Sequence, residues 1–317
     1  MKRKLAITFS GLNEARLAQI QTAATGLEVI CTTKDSLDLV DAEIVFGHIA
    51  PQIFPLAKNL KWLHTQWAGV DAYLALGDSL PSDLTLTNSS GAYGIGIAEH
   101  LLTVTLMLLR KMAGYGHLQT QHQWQSLGAV QSLYNSRVTV VGLGDIGSNY
   151  ALRCHNLGAK VCGVVRSSRA DIPAYLESLF SVNQLDQAIQ DADIIALCLP
   201  GTAETAQLFD KARLAKTKKG AVILNVGRGT AINTPALIEA LAEGHLGGAA
   251  LDVTDPEPLP PDSALWDMPN VIITPHTSGG DSLSLTQDLI VDKFINYLQN
   301  YLNGQPFAKV VDRKAGY

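Results

Sequence analysis

Along the chain, short apolar runs alternate with segments whose apolar positions recur at helical spacing. Residues 4–9 predict a strand, and residues 12–24 a helix with Leu12, Ala15, Leu17, Ala18 and Ile20 on its apolar face. Further short strands are predicted at 27–31, 44–47, 62–65 and 84–88. The longest helical signal is 97–112, closing near Gly114. It is apolar nearly all round (Leu101, Leu102, Val104, Leu106, Met107, Leu108, Leu109), which predicts burial between two domains. Residues 115–135 show little periodicity and predict a linker or an oligomer-forming arm.

A second alternation opens at Val138. Strands are predicted at 160–165, 194–199, 221–226, 248–253 and 271–274, with helical segments at 185–191, 205–208 and 234–243. Asn233-Thr234-Pro235 supplies a cap and an early proline, as helix starts prefer. The last helix, 282–302, is stopped by Asn303-Gly304-Gln305-Pro306, and 307–311 reads as a short extension. This alternation implies an α/β protein with mostly parallel sheets covered by helices.

One stretch organises the second half. Val138-Thr139-Val140-Val141 runs into Gly142-Leu143-Gly144-Asp145-Ile146-Gly147, and a helical pattern follows. The first glycine permits a tight turn, the second lets a pyrophosphate approach the backbone, and the third allows close helix–strand packing. The helix start then offers unpaired N–H groups and a positive dipole end to phosphates. A lone GxGxxG string is a weak signal; a strand before it and a helix after it make it a dinucleotide site.

Composition narrows the partners. The 317 residues suffice for about two domains, with 47% hydrophobic and 17% charged residues, the profile of a well-packed globular chain. Net charge is −5 and no basic stripe is visible, so no nucleic-acid partner is expected. No apolar run approaches the ~20 residues of a membrane span. Residues 5–9 are too short for a signal peptide, and Glu14 and Arg16 follow at once. Cys31, Cys154, Cys162 and Cys198 lack metal-ligand spacing, so no metal is expected and the thiols read as reduced residues of a cytoplasmic protein.

Cofactor preference is read at the end of the strand after the glycine helix. In an NAD-selective fold an Asp or Glu stands there to bond the ribose hydroxyls. Here Val165 is followed by Arg166-Ser167-Ser168-Arg169. Arginines and serine hydroxyls would hold a 2′-phosphate that a carboxylate would repel. NADP(H) is therefore favoured over NAD(H), the bland alternative being a solvated basic loop that tolerates both.

Three predicted strand ends carry reactive side chains. Asn225-Val226-Gly227-Arg228-Gly229 sets an arginine in a glycine turn. Leu251-Asp252-Val253 leads to Asp255-Pro256-Glu257-Pro258, and Thr274-Pro275-His276 puts a histidine just after a strand. Ligands of open α/β sheets bind outside the carboxyl ends of strands, so the three can converge. Reducing a ketone builds negative charge on oxygen, which a cation and a proton donor must meet. A carboxylate beside an imidazole favours the imidazolium, and the arginine fork suits a carboxylate. Taken singly, each has a plain structural explanation: a structural histidine, a surface cation, a rigid acidic loop.

Jointly these segments resemble the D-isomer-specific 2-hydroxyacid dehydrogenases over nearly the whole chain. The resemblance includes Ala68-Gly69-Val70-Asp71, Ala98-Glu99-His100, the glycine motif, Leu199-Pro200 with Thr205, and the three strand ends. It implies two Rossmann-like, doubly wound parallel-sheet domains with an interdomain active-site cleft. The domains would be 1–97 with 285–317, flavodoxin-like and substrate-binding, and 98–284, dinucleotide-binding. It further implies that Arg228 binds the substrate carboxylate, His276 protonates the carbonyl oxygen and Glu257 holds His276. Ala68, Gly69 and Val70 would bind the substrate carboxylate through backbone N–H groups. Cofactor contacts would come from 142–147, Arg166, Ser167, Ser168, Arg169, Leu199, Pro200, Thr205, Val226, Gly227, Arg228, Asp252 and His276, although Asp252 would equally well cap its strand.

The implied activity is hydride transfer between NAD(P)H and a small 2-keto acid, glyoxylate and hydroxypyruvate being the expected range, in a homodimer. The rival is a nucleotide-sensing corepressor on the same fold. Formate dehydrogenase is disfavoured because Glu257 stands where that enzyme has Gln. Trp62, Trp67, Tyr93 and Trp124 are each expected in the aromatic core, though a pocket or dimer contact is open to them.

Overall fold

The computed structural model describes residues 3–167, 171–280 and 283–314. The chain divides into two units, Met1–Tyr93 with Asp281–Tyr317, and Gly94–Gly280.

The first unit opens with β1 (Lys4–Ile7), α1 (Glu14–Ala23), β2 (Glu28–Cys31), β3 (Ile44–Phe46), β4 (Trp62–Thr65), α2 (Asp71–Leu74) and β5 (Thr85–Asn88). Its strands pair in parallel in the order β2-β1-β3-β4-β5. β3 and β4 are buried at every position, as expected of parallel strands covered on both faces. Asn13 starts α1 by accepting from the Arg16 N–H with its side chain.

The second unit begins with α3 (Gly94–Leu109) and α4 (Met112–Thr120). There follow β6 (Arg137–Val141), α5 (Asp145–Asn156), β7 (Lys160–Val165), β8 (Ser178–Ser181), α6 (Leu185–Ile189) and β9 (Ile194–Leu197). Then come α7 (Lys211–Leu214), β10 (Val222–Asn225), α8 (Thr234–Ala242), β11 (Gly248–Leu251) and β12 (Val271–Ile273). The seven strands are parallel in the order β12-β11-β10-β9-β6-β7-β8. The order reverses between β6 and β9, the crevice where doubly wound sheets bind ligands. Val141, Ile195, Leu197, Ile223, Ala249 and Leu251 form part of its core, packed with Phe209 and Leu237.

The last helix, α9 (Ser284–Leu302), belongs to the first unit. Its Phe294 stacks on Phe46 with ring centroids 4.0 Å apart and on Trp62 at 5.4 Å. Buried Arg16 ties α1 to the start of α9, donating to Asp288 Oδ1 at 2.6 Å, Gln287 Oε1 at 2.6 Å and Ser284 Oγ at 2.7 Å. His64 lies fully buried in the same aromatic layer with both ring nitrogens against hydroxyls, those of Thr87 and Ser89. Burial pulls its pKa down to about 3, so it stays neutral and structural.

Four local expectations are corrected. Residues 205–208 form turns rather than a helix, because the Thr205 hydroxyl donates to the Pro200 carbonyl and closes the loop on itself. β8 was not expected, being a short, half-exposed strand of mixed polarity. The long helix ends at Leu109, Lys111 turns left-handed with φ 56°, and α4 starts at Met112 and runs on to Thr120 into the stretch read as irregular. It is also buried on one side only: Leu106 is 39% exposed. Of the four aromatics, Trp62 and Tyr93 are buried, Trp67 is 44% exposed and packs edge-on against His48, and Trp124 is fully exposed.

Candidate active site

Strand register lines up one edge of the seven-stranded sheet. Ile273 pairs with Leu251, Leu251 with Asn225, Asn225 with Leu197, Leu197 with Val141, and Val141 with Val164. The site residues that sequence places at strand ends leave from this row: His276, Asp252, Arg228, Leu199, Gly142 and Arg166. Neighbouring strands stand about 4.8 Å apart, so the edge is a fixed scale on which these side chains are spaced.

At the centre of the row, Gly142 turns the chain from β6 into α5 with φ 96°, and its N–H donates to the Val164 carbonyl at 2.9 Å. A Cβ on Gly142 would fall 2.5 Å from the Cys198 carbonyl, and one on Gly147 would fall 1.9 Å from the Gly142 carbonyl. Both glycines are demanded by packing. Gly144, the N-cap of α5, is different: a Cβ there would meet no atom within 4 Å. Its lack of a side chain serves the space in front of the helix, where a pyrophosphate would approach the N–H groups of Asp145, Ile146 and Gly147. The turn therefore fits a dinucleotide. Leu143 packs over Gly163 of β7, whose Cβ would strike it at 2.3 Å.

At one end of the row, His276 Nδ1 and Glu257 Oε1 are 2.6 Å apart, both side chains near half exposed. His276 has φ 53°, a left-handed conformation that costs a non-glycine residue roughly 1–2 kcal/mol. Asp252 holds it there. This carboxylate is buried (3% exposed) and accepts from Thr274 Oγ1 at 2.6 Å, Thr277 N at 2.9 Å, Ser278 N at 3.1 Å and Ser278 Oγ at 2.5 Å. Its carbonyl takes the His276 N–H at 2.8 Å. Thr274 Oγ1 also lies 3.4 Å from His100 Nε2 of α3, whose pKa burial lowers, partly offset by Asp252. Sequence pointed to Asp252 but not to Thr274, Thr277 and Ser278. Short hydroxyl residues around a strand-end histidine were the available signal.

Arg228 stands on β10's end, one strand beyond β11 from His276. Its turn is clamped on both sides. A Cβ on Gly227 would fall 2.5 Å from the Leu199 carbonyl, and one on Gly229 would fall 1.9 Å from that of Thr254. Asn225 Nδ2 donates to the Arg228 carbonyl at 2.9 Å, and Arg228 Nη1 to that of Gly227 at 2.8 Å. Val226 is buried beside it.

At the other end, Arg166 Nη2 lies 3.1 Å from Glu204 Oε1. Ser167 adjoins it, while Ser168 and Arg169 lie outside the described residues. Glu204 belongs to the loop after Leu199 and Pro200, which Thr205 braces: its hydroxyl accepts from the Thr202 N–H at 3.0 Å. Nothing in the order of residues links Glu204 to Arg166.

The loop Ala68-Gly69-Val70 belongs to the first unit, between β4 and α2. Asn88 Nδ2 donates to the Ala68 carbonyl at 2.7 Å, and the Val70 carbonyl takes the N–H groups of Tyr73 and Leu74. Among the described residues, no protein acceptor takes the N–H groups of Ala68, Gly69 or Val70.

Residues 102–278 match the NAD binding domain of the D-isomer specific 2-hydroxyacid dehydrogenases. The chain belongs to this family. A D-isomer specific 2-hydroxyacid dehydrogenase family protein of Aeromonas salmonicida subsp. salmonicida A449 is 32% identical, with a TM-score of 0.86 over 99% of this chain and 100% of that one. An NADPH-dependent glyoxylate/hydroxypyruvate reductase from Sinorhizobium meliloti, solved with NADP and sulfate, is 30% identical, with a TM-score of 0.84 over 100% of both chains. The glyoxylate reductase of Thermofilum pendens is 30% identical over 244 residues, 75% of this chain and 69% of its own length. The dehydrogenase is accordingly an NAD(P)-dependent oxidoreductase of small 2-hydroxy and 2-keto acids. Among the described residues, no helix is long and apolar enough to cross a membrane.

Proposed function

We propose that this dehydrogenase reduces small 2-keto acids such as glyoxylate and hydroxypyruvate to their D-2-hydroxy acids, favouring NADPH. The observation that carries the reading is the 2.6 Å contact between His276 and Glu257 on a strand end braced by Asp252. Glu257 accepts a hydrogen bond from Nδ1–H of the imidazolium, which orients Nε2–H to deliver its proton to the substrate's carbonyl oxygen and leaves a neutral imidazole. When bound, the dinucleotide supplies hydride to the carbonyl carbon. Arg228 meets the substrate carboxylate and the charge that develops on the carbonyl oxygen, its planar fork suiting both. The half-exposed imidazole recovers its proton from solvent after each turnover. The N–H groups of Ala68, Gly69 and Val70 supply further carboxylate donors.

The cofactor would lie over 142–147, with Leu199, Pro200, Thr205, Val226 and Gly227 along it and Arg166 and Ser167 toward the 2′-phosphate. The NADP-bound Sinorhizobium relative supports the preference. A homodimer is supported by the outer face of α3, where Leu106, Met107, Met112, Tyr115 and Val130 line an apolar groove. Four free cysteines accord with a reducing, cytoplasmic setting.

The test is a panel of 2-keto acids followed at the nicotinamide absorbance with NADPH and NADH in parallel. Turnover of glyoxylate or hydroxypyruvate with higher kcat/KM for NADPH supports the reading. No turnover on any member would replace it with a nucleotide-binding, non-catalytic role.

A further inference from the structure

Sequence places no acid at the end of β7, yet the fold delivers one. Glu204 reaches Arg166 from a loop 38 residues away, at 3.1 Å, with side-chain exposures of 64% and 68%. Its backbone is held although its side chain is exposed. The Thr205 hydroxyl folds the loop back on itself, donating to the Pro200 carbonyl at 2.7 Å and accepting from the Thr202 N–H at 3.0 Å, so the Glu204 backbone lies in a closed turn.

We propose that Glu204 sets cofactor selectivity by competing with the 2′-phosphate for Arg166. This rests on the reading that Arg166 faces that phosphate. A dianionic phosphate must displace the carboxylate from the guanidinium or share it at the cost of repulsion, whereas an unphosphorylated ribose does neither. The enzyme's preference for NADPH is thereby held below what Arg166 alone would confer, and NADH remains usable. An exposed pair of this kind contributes at most about 1 kcal/mol, so the competition is worth up to about fivefold in affinity. It should fade as salt screens exposed charges.

Calorimetric titration with 2′,5′-ADP and 5′-AMP isolates the phosphate without substrate or turnover. At low salt, Glu204→Gln should bind 2′,5′-ADP up to about fivefold more tightly and leave 5′-AMP unchanged. The gain should shrink at high salt, and Glu204→Ala should reproduce it. Arg166→Ala should weaken 2′,5′-ADP selectively, and adding Glu204→Gln to it should then gain little. An equal change for both ligands, no change for either, or a full gain persisting without Arg166 would overturn the competition. Were Arg166→Ala to leave 2′,5′-ADP unaffected, the NADPH reading itself would fall, a result distinguishable from the failure of Glu204 alone.

Discussion

Along the carboxyl edge of the seven-stranded sheet, two side-chain pairs stand in very different settings. At the β12 end, His276 meets Glu257 at 2.6 Å, and the turn beneath them is stapled by a buried Asp252 with hydroxyl and amide donors on both oxygens. At the β7 end, Arg166 meets Glu204 at 3.1 Å with both side chains largely in water. In the proposed function His276 is the proton donor, a role that requires placement to within a few tenths of an ångström, and a buried polar scaffold lies beneath it. A group that discriminates between two cofactors needs only a charge near the right place, and an exposed pair suffices. On the proposed function, a rigid proton donor and an adjustable selectivity pair share one sheet edge.

The largest expected effect falls at the rigid end. His276→Ala should lower kcat by roughly 10²–10⁴-fold while leaving the melting temperature close to that of the parent. Retention of most activity would remove the proton donor from the comparison.

Asp252→Asn should come next. It turns one buried acceptor into a donor facing Ser278 or Thr274, a mismatch costing about 1–3 kcal/mol. Both thermal stability and kcat should drop, kcat by about tenfold or more as the strained His276 backbone relaxes. If neither moves, the turn is held by something other than Asp252.

At the soft end, Arg166→Ala should cost NADPH roughly tenfold to a hundredfold in kcat/KM, the worth of a charge-assisted hydrogen bond, and NADH little. The melting temperature should not change, since an exposed ion pair contributes little to stability. Equal losses with both cofactors would make Arg166 a general binding residue. Glu204→Gln carries the smallest effect, a gain rather than a loss, in the direction and range given above. A salt-insensitive result at this end would break the contrast.

Much of this edge is legible in the chain. Gly142, Gly144 and Gly147 follow a β-branched run and open a helix, and that local pattern dictates a tight strand-to-helix turn. Arg228, Glu257 and His276 each follow a recognisable strand, and parallel pairing carries all three to one edge. Less legible were the features set by packing. Leu106 and Trp124 read as interior residues, because hydrophobicity does not say which face of a helix or arm will be covered. Residues 205–208 read as helical because the apolar and polar alternation there does not reveal a threonine hydroxyl closing its own loop.

Local spacing by itself determined the strands, the helices, the glycine turn and the identity of the reactive side chains, since each depends on neighbours within a few positions. The tertiary structure decided which distant groups meet: that Asp252 is spent on the His276 turn, and that Glu204 stands against Arg166. Such pairings depend on strand order and on where a loop folds back, and Coulomb and hydrogen-bond energies act over ångströms of space, not over positions in a chain.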